Sequence, residues 1–396
     1  MKKVGLILAL AAVLLVGNSF WLSRLFENLG NVQINRARLL NSLSDNEKRA
    51  ILEDGRELFR RAVAEDINYS TAYASLGLSE HLLGNDAASI VALEKATQLD
   101  SGRALNHEWL AQAYWATGQT EKAIASAEKA ESYPRLMEIG ETLLDRQRED
   151  EATLAFQGAL SVAPGNAGAL YGIWRIQFKR MQRLTGEGDR YRKEKHYDLA
   201  AESYRRAAEA LPESEDPYLS LAGNAFDQGE YAEAEAYLDV AMLKKPSNPW
   251  IYSLRSRIHR EQGHQEEAVA ALLEAIHQDP TGYWQRMDLA DTYRKFGQRN
   301  EAIAQYKLAI EVDERKPDGH YGLGLVLFEM KDYTGAVAEL EKAVELSPKN
   351  GWYRLWLGDA YVKAKRPAEA KRQFEVASND ANPEIRSRAL QELGTP

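Results

Sequence analysis

The chain has 396 residues, 44% of them apolar, which is enough for two or three globular domains or for one long array. Its 50 Lys and Arg against 59 Asp and Glu leave a formal net charge of −9, which argues against nucleic-acid binding through a basic surface. With no Cys at all, disulfides, a thiolate nucleophile, Cys-ligated zinc and iron–sulfur sites are excluded.

Lys2 and Lys3 precede an uncharged, mostly aliphatic run that begins at Val4 and reaches Leu22. Its 19 residues are about enough to cross a bilayer at roughly 1.5 Å per residue, and Trp21 would then meet the headgroup region. An uncleaved single-pass anchor and a cleaved signal peptide both fit, Gly17-x-Ser19 being the nearest small-x-small pair. The short basic start favours a body outside the cytoplasm, in the periplasm. Residues 1–25 are therefore assigned to the anchor or signal and 26–43 to a linker.

Ser44-x-x-Glu47 reads as a capping box opening a helix with Phe59 and Ala62 on one face, half of an incomplete helical pair. Residues 70–103 predict a full pair, marked by Leu76-Gly77, Gly84, Leu93 and Ala96. Residues 104–132 predict a shorter one, with Trp109-Leu110, Tyr114, Gly118, Ala123 and Ala130. Residues 133–166 follow with Ile139-Gly140, Ala152, Phe156, Ala159 and Pro164, so that 44–166 forms one arm.

The stretch 167–214 is irregular. Leu170, Ile173, Trp174, Met181 and Leu184 fall on one face of a first helix, which Thr185-Gly186-Glu187-Gly188 interrupts. A second helix with Tyr191 leads to Tyr197, Ala200, Tyr204, Ala207 and Pro212. Either one helix is lengthened and kinked or an orphan helix is inserted, and both readings split the array into two arms.

Beyond it the period is plain. Ala234, Ala268, Ala302, Ala336 and Ala370 are spaced 34 apart, each followed seven residues later by Ala241, Ala275, Ala309, Ala343 and Ala377. Leu238, Leu272, Tyr306, Leu340 and Phe374 lie between them, and Gly229, Gly263 and Gly297 mark turns. Leu221, Leu289, Leu323 and Leu357 are each followed by Ala or Gly, and Pro246, Pro280 and Pro348 close three units. Small residues let helices cross closely while large ones fill the grooves beside them, so each unit predicts two antiparallel helices, A then B. Five regular units occupy 215–384. Asn382-Pro383 then opens a short helix, with Ile385, Ala389, Leu390 and Leu393 facing inward, that caps the array over 385–396.

This pattern resembles the tetratricopeptide repeat family, and six consecutive units, 181–214 through 351–384, keep its register without a gap. The resemblance implies an all-α helix-turn-helix solenoid, a right-handed superhelix, preceded here by the N-terminal transmembrane or signal helix. It also implies a non-catalytic scaffold that takes an extended peptide or helix of a partner protein in a concave groove of A helices.

No phosphate-binding loop, nucleophile elbow or H-E-x-x-H motif is present, and no cofactor is called for. His259 and His264, five apart across a predicted helix end, make a poor metal pair. The more informative signal is aromatic: Trp250, Trp284 and Trp352 recur at the second residue of three units. Family positions two, five, nine, twelve and thirteen usually face the groove. Carried over, they give Trp250, Arg257 and Arg260, then Trp284, Met287 and Asp291, then Arg294 and Lys295. The last two units add Tyr321, Phe328, Trp352, Leu355 and Asp359. The family's carboxylate clamp needs Lys and Asn at positions five and nine. Those positions hold Leu219 and Gly223, Ser253 and Arg257, Met287 and Asp291, so the clamp is absent.

Two readings of the tryptophans stay open. They could fill space left where Arg286 and Arg354 replace the family's bulky fourth residue, or they could form an aromatic floor for a partner segment. A sugar-stacking groove, as in an accessory subunit of envelope polysaccharide synthesis or export, is the alternative function.

Overall fold

The structure, a computed structural model, describes residues 19–39 and 43–394. Among these residues it contains 21 helices and no strand. The chain is an all-α array of helical pairs that parts into two compact units between Lys179 and Arg180.

The first unit begins with the helix Ser19–Leu39 packed along Asp45–Glu65. The stretch expected to be a linker from residue 26 is thus mostly helix, the missing A partner of the incomplete pair. It buries a stripe that includes Ile34 and Ala37, and Gly30 supplies the close approach. A Cβ at Gly30 would come within 2.5 Å of the Phe59 ring, so only glycine lets the two helices meet there. Residues 4–18 of the expected anchor lie outside the described residues, while residues 19–22 open this packed helix. Among the described residues, no helix is long and apolar enough to cross a membrane.

The capping box is formed as expected: the Ser44 side chain accepts from the Glu47 amide and the Glu47 carboxylate accepts from the Ser44 amide at 2.8 Å. Three helical pairs follow, Ser70–Leu82 with Asp86–Leu99, Ala104–Ala116 with Thr120–Lys129, and Tyr133–Asp145 with Glu149–Val162.

The irregular region resolves into one lengthened helix, Ala167–Lys193, of 27 residues with no interruption at Gly186 or Gly188. Gly188 is the family's small A-helix position, not a breaker. A Cβ there would come within 2.5 Å of the Tyr204 ring, whose hydroxyl donates to Asp189 at 2.7 Å. The inward face is Ala169, Ile176, Met181 and Leu184, while Leu170 and Trp174, expected inside, are exposed.

In the second unit the A helices are Asp216–Gln228, Pro249–Gln262, Tyr283–Lys295, Pro317–Glu329 and Gly351–Lys363. Their B partners are Tyr231–Lys244, Gln265–Gln278, Arg299–Val312, Tyr333–Leu346 and Pro367–Ala377. Every small or bulky residue of the B-helix period, from Ala234 and Leu238 to Phe374 and Ala377, is buried. The A–B turn demands a left-handed residue, and Gly229, Gly263 and Gly297 provide it at φ 80°, 83° and 79°. At the same position Lys195, Lys331 and Lys365 are held at φ 62°, 67° and 61°, where a side chain is strained.

The fourth residue of the A helix closes the joint between units. Tyr252 donates its hydroxyl to the Pro246 carbonyl at 3.0 Å. Arg286 reaches the Pro280 carbonyl at 2.8 Å, and Arg354 reaches that of Pro348 through two nitrogens at 2.9 and 2.7 Å. The arginines thus do what the tyrosine does, and they leave no gap to be filled. The terminal helix Pro383–Gly394 buries Ile385 and Ala389, whereas Leu390 points outward.

Candidate functional site

Successive A helices of the second unit touch one another, whereas among the described residues no B helix of that unit makes comparable contact with the next B helix. The A face is therefore the inside of the curve, and a recess of about 390 Å³ lies on Pro249–Gln262 between its two neighbouring A helices. Trp250 and Trp284 flank the recess. Its floor is Leu219, Gly223, Ser253 and Leu254, and its polar lining is Arg192, Arg257 and Asp288.

Each tryptophan is placed by its helix start. The Asn248 side chain caps Pro249–Gln262 by accepting the Trp250 amide at 3.0 Å, and Asn350 does the same for Trp352 at 3.0 Å. Trp250 remains 50% exposed and Trp284 43% exposed. Trp284 stands edge-on to Tyr283 at 5.1 Å, with the Lys316 ammonium 5.2 Å from its ring. Trp250 belongs to a unit whose fourth residue is tyrosine and Trp284 to one where it is arginine, yet both indoles protrude to a similar extent. Compensation for the arginine does not explain them. Trp352 is the exception, partly buried against the core that contains Leu355 and Tyr361.

Of the expected groove residues, Trp250, Trp284 and Arg257 converge on the recess. Met287 and Leu355 do not: they are 7% and 0% exposed and belong to the core, because the A helix turns its fifth residue inward, as it does Ser253 at 3%. Asp291 accepts a hydrogen bond from the buried Tyr306 hydroxyl, a contact within its own repeat. Arg294 is paired with Glu329 at 3.0 Å and Lys295 with Glu261 at 2.9 Å, which Arg260 also approaches at 3.9 Å. Asp359 is held by Arg388 of the terminal helix, and burial pushes its carboxyl up to about 6. Tyr321 packs on Tyr353 at 4.7 Å, and Phe328 lies edge-on to Trp356 at 5.7 Å. Of the charged residues assigned to the groove, Arg294 and Lys295 are thus neutralised across neighbouring A helices and Asp359 by the terminal helix. Opposite charges 34 or 35 residues apart were the signal for the first two pairs.

Arg192, Leu219, Gly223, Ser253, Leu254 and Asp288 complete the recess beyond the expected set. Arg192 is paired with Asp227 at 2.7 Å, and its guanidinium lies so near Gly223 that a Cβ there would come within 2.9 Å of it. Leu254 and Asp288 hold the sixth position of their units, one helical step from the fifth, and a three-to-four-residue stripe drawn through Trp250 and Trp284 would have found them. Burial pushes the Asp288 carboxyl up to about 6, with Asp291 adding to the rise and Arg260 and Arg257 opposing it. Among the described residues no group of three or more His, Asp or Glu could hold a metal ion, and the rings of His259 and His264 are 6.1 Å apart without other ligands.

An array of helical pairs with an aromatic-flanked inner face defines an α-solenoid repeat protein. Models described as tetratricopeptide repeat match residues 191–258, 327–393 and 107–135, and one described as TPR repeat matches 290–331, together about half of the chain. The chain belongs to the tetratricopeptide repeat family, whose members are generally protein-interaction scaffolds. No curated protein matches it. Among solved structures it is similar to PilF of Pseudomonas aeruginosa at 16% identity, over 54% of this chain and 99% of that one, with a TM-score of 0.43. It is similar to PilW, a type IV pilus biogenesis factor, at 16% identity over 52% of this chain and 97% of that one, with a TM-score of 0.45. It also resembles the Cut9–Hcn1 hetero-tetramer of the APC/C at 14% identity over 98% of this chain and 92% of that one, with a TM-score of 0.44.

Proposed function

We propose that this protein is a non-catalytic scaffold, tethered at a membrane by the apolar run from Val4 to Leu22, that holds an extended segment of a partner protein against its A helices. Its role would be to support assembly or regulation of an envelope complex. The observation that carries the reading is the pair of half-exposed indoles, Trp250 and Trp284, one repeat apart and flanking a single recess. Large aromatic surface left uncovered on rigid helices is surface available to a partner, and Trp and Arg are the residues that most often carry interface energy. A preformed groove also loses little conformational freedom on binding.

Trp284→Ala and Trp250→Ala should each abolish partner retention in a pull-down while the helical circular dichroism of the chain persists. If retention survives both substitutions, the recess is not the binding face. The glycan reading draws on the same two indoles; it would be favoured if oligosaccharides quenched their fluorescence and no protein partner were retained.

A further inference from the structure

We infer that the segment seated in this recess carries a carboxylate side chain next to an apolar or aromatic one: an acidic peptide whose acid meets Arg257 while its neighbour lies against Trp250 and Trp284. The inference rests on the groove reading above and names the chemistry of its occupant.

Arg257 carries the argument. The guanidiniums and ammonium beside it on the A face are already engaged: Arg192 by Asp227, Arg294 by Glu329, Lys295 by Glu261. The Arg257 guanidinium lies 4.7 Å from the Phe226 ring centroid, and among the described residues it has no hydrogen-bond acceptor and no carboxylate within 4.0 Å. Stacking on a ring fixes the plane of a guanidinium and leaves its N–H edge open, the arrangement that takes a carboxylate through two parallel bonds. Beside it, Ser253 is 3% exposed, lines the recess, and has an Oγ with no partner among the described residues. A buried hydroxyl without a partner is costly unless something donates to it or accepts from it, and a seated carboxylate would accept. Outside the recess the Lys316 ammonium, 5.2 Å from the Trp284 ring, has no carboxylate within 4.0 Å among the described residues and adds positive charge beside that indole.

Asp288 sets the counterweight. Its carboxyl lines the same recess, so a bound acid would face it, and neutralising Asp288 should favour an acidic occupant. A basic occupant would reverse these signs, with Asp288 as its anchor and Arg257 as its obstacle. The two occupants are therefore separated by substitutions of opposite charge in one recess.

The test is selection of a random twelve-residue peptide display library on the full-length chain, followed by fluorescence anisotropy of the selected peptides. The expected result is enrichment of Asp or Glu beside an aromatic or aliphatic residue. Arg257→Gln should weaken those peptides by about tenfold or more, with Arg257→Lys intermediate because it keeps the charge and loses the fork. Asp288→Asn should tighten them. Circular dichroism of each variant excludes misfolding as the cause.

Selected peptides that are basic, tighten with Arg257→Gln and weaken with Asp288→Asn would overturn the inference while leaving the groove reading intact. So would peptides that need Trp284 but show no acidic preference. Peptides insensitive to both Trp250→Ala and Trp284→Ala would instead overturn the groove reading itself. Binding of an oligomer of uronic acids that depends on Trp284, with no peptide selected, would overturn both in favour of a glycan.

Discussion

Replacing Asp288 with asparagine should stabilise the second unit at neutral pH, and the gain should vanish as the pH falls. The carboxyl titrates at about 6 in the folded chain against an ordinary value of 3.8, chiefly because burial penalises its charged form. Between those values the folded chain holds a proton that the unfolded chain has lost. Stability contributed by this group is therefore complete below 3.8, falls as the pH rises through the window, and above about 6 becomes a fixed penalty for burying the ion. A two-unit rise corresponds to about 3 kcal/mol, and partial access of water to the carboxylate brings the expected penalty nearer 2 kcal/mol. If about 200 residues unfold together, that is a rise in melting temperature of roughly 5 °C at pH 7.5. The assay is thermal melting of the wild-type chain and Asp288→Asn from pH 4 to pH 8. The curves should nearly meet at pH 4, diverge as the pH rises through the window and run parallel above about 6. A difference that does not vary with pH, or a variant less stable at pH 7.5, would refute the account of a desolvated carboxylate in the recess.

Other consequences concern the joints of the array. Gly186 and Gly188 are two residues apart in one helix, yet a Cβ at Gly186 meets nothing within 4 Å while one at Gly188 strikes Tyr204. Gly186→Ala should raise the urea midpoint by the equivalent of about 1 kcal/mol, and Gly188→Ala should lower it by about 1–2 kcal/mol. Lys331 occupies the left-handed turn position that Gly229, Gly263 and Gly297 fill in the neighbouring repeats, so Lys331→Gly should stabilise its unit by about 1 kcal/mol in the same assay. Arg286→Ala should cost about 1–2 kcal/mol by leaving the Pro280 carbonyl without its donor, whereas Arg286→Tyr should recover most of that loss because Tyr252 already makes the equivalent bond.

The regular units were readable because their period is long, unbroken and tied to packing: Ala234, Leu238 and Ala241 mean the same thing each time they recur. The first helix was not readable in this way. Ser19–Leu39 mixes apolar and polar residues and adjoins an apolar run, and its one decisive residue, Gly30, acquires meaning only when Phe59 is seen against it. The interruption expected at Gly186 and Gly188 failed for a related reason, since glycine in a helix signals a break or a close contact and only the partner ring distinguishes them. At the recess, position in the repeat located Trp250, Trp284 and Arg257. It misplaced Met287 and Leu355, because the A helix turns its fifth residue toward the core, where Ser253 is buried as well. It also could not show which charges were already spent on neighbours. Arg294, Lys295 and Asp359 look available in the sequence and are paired in the fold.

The central claim, that partners bind the inner face around Trp284, is tested most directly by a photo-crosslinking amino acid placed at position 284 in living cells. A second version carries it at position 273, where Leu273 is 52% exposed on a B helix. The account predicts a discrete cross-linked partner from position 284, absent from position 273, whose attached peptide contains an acidic residue and which is lost when Trp250 is also replaced by alanine. Cross-linking from position 273 alone, or equal products from both positions, would contradict it.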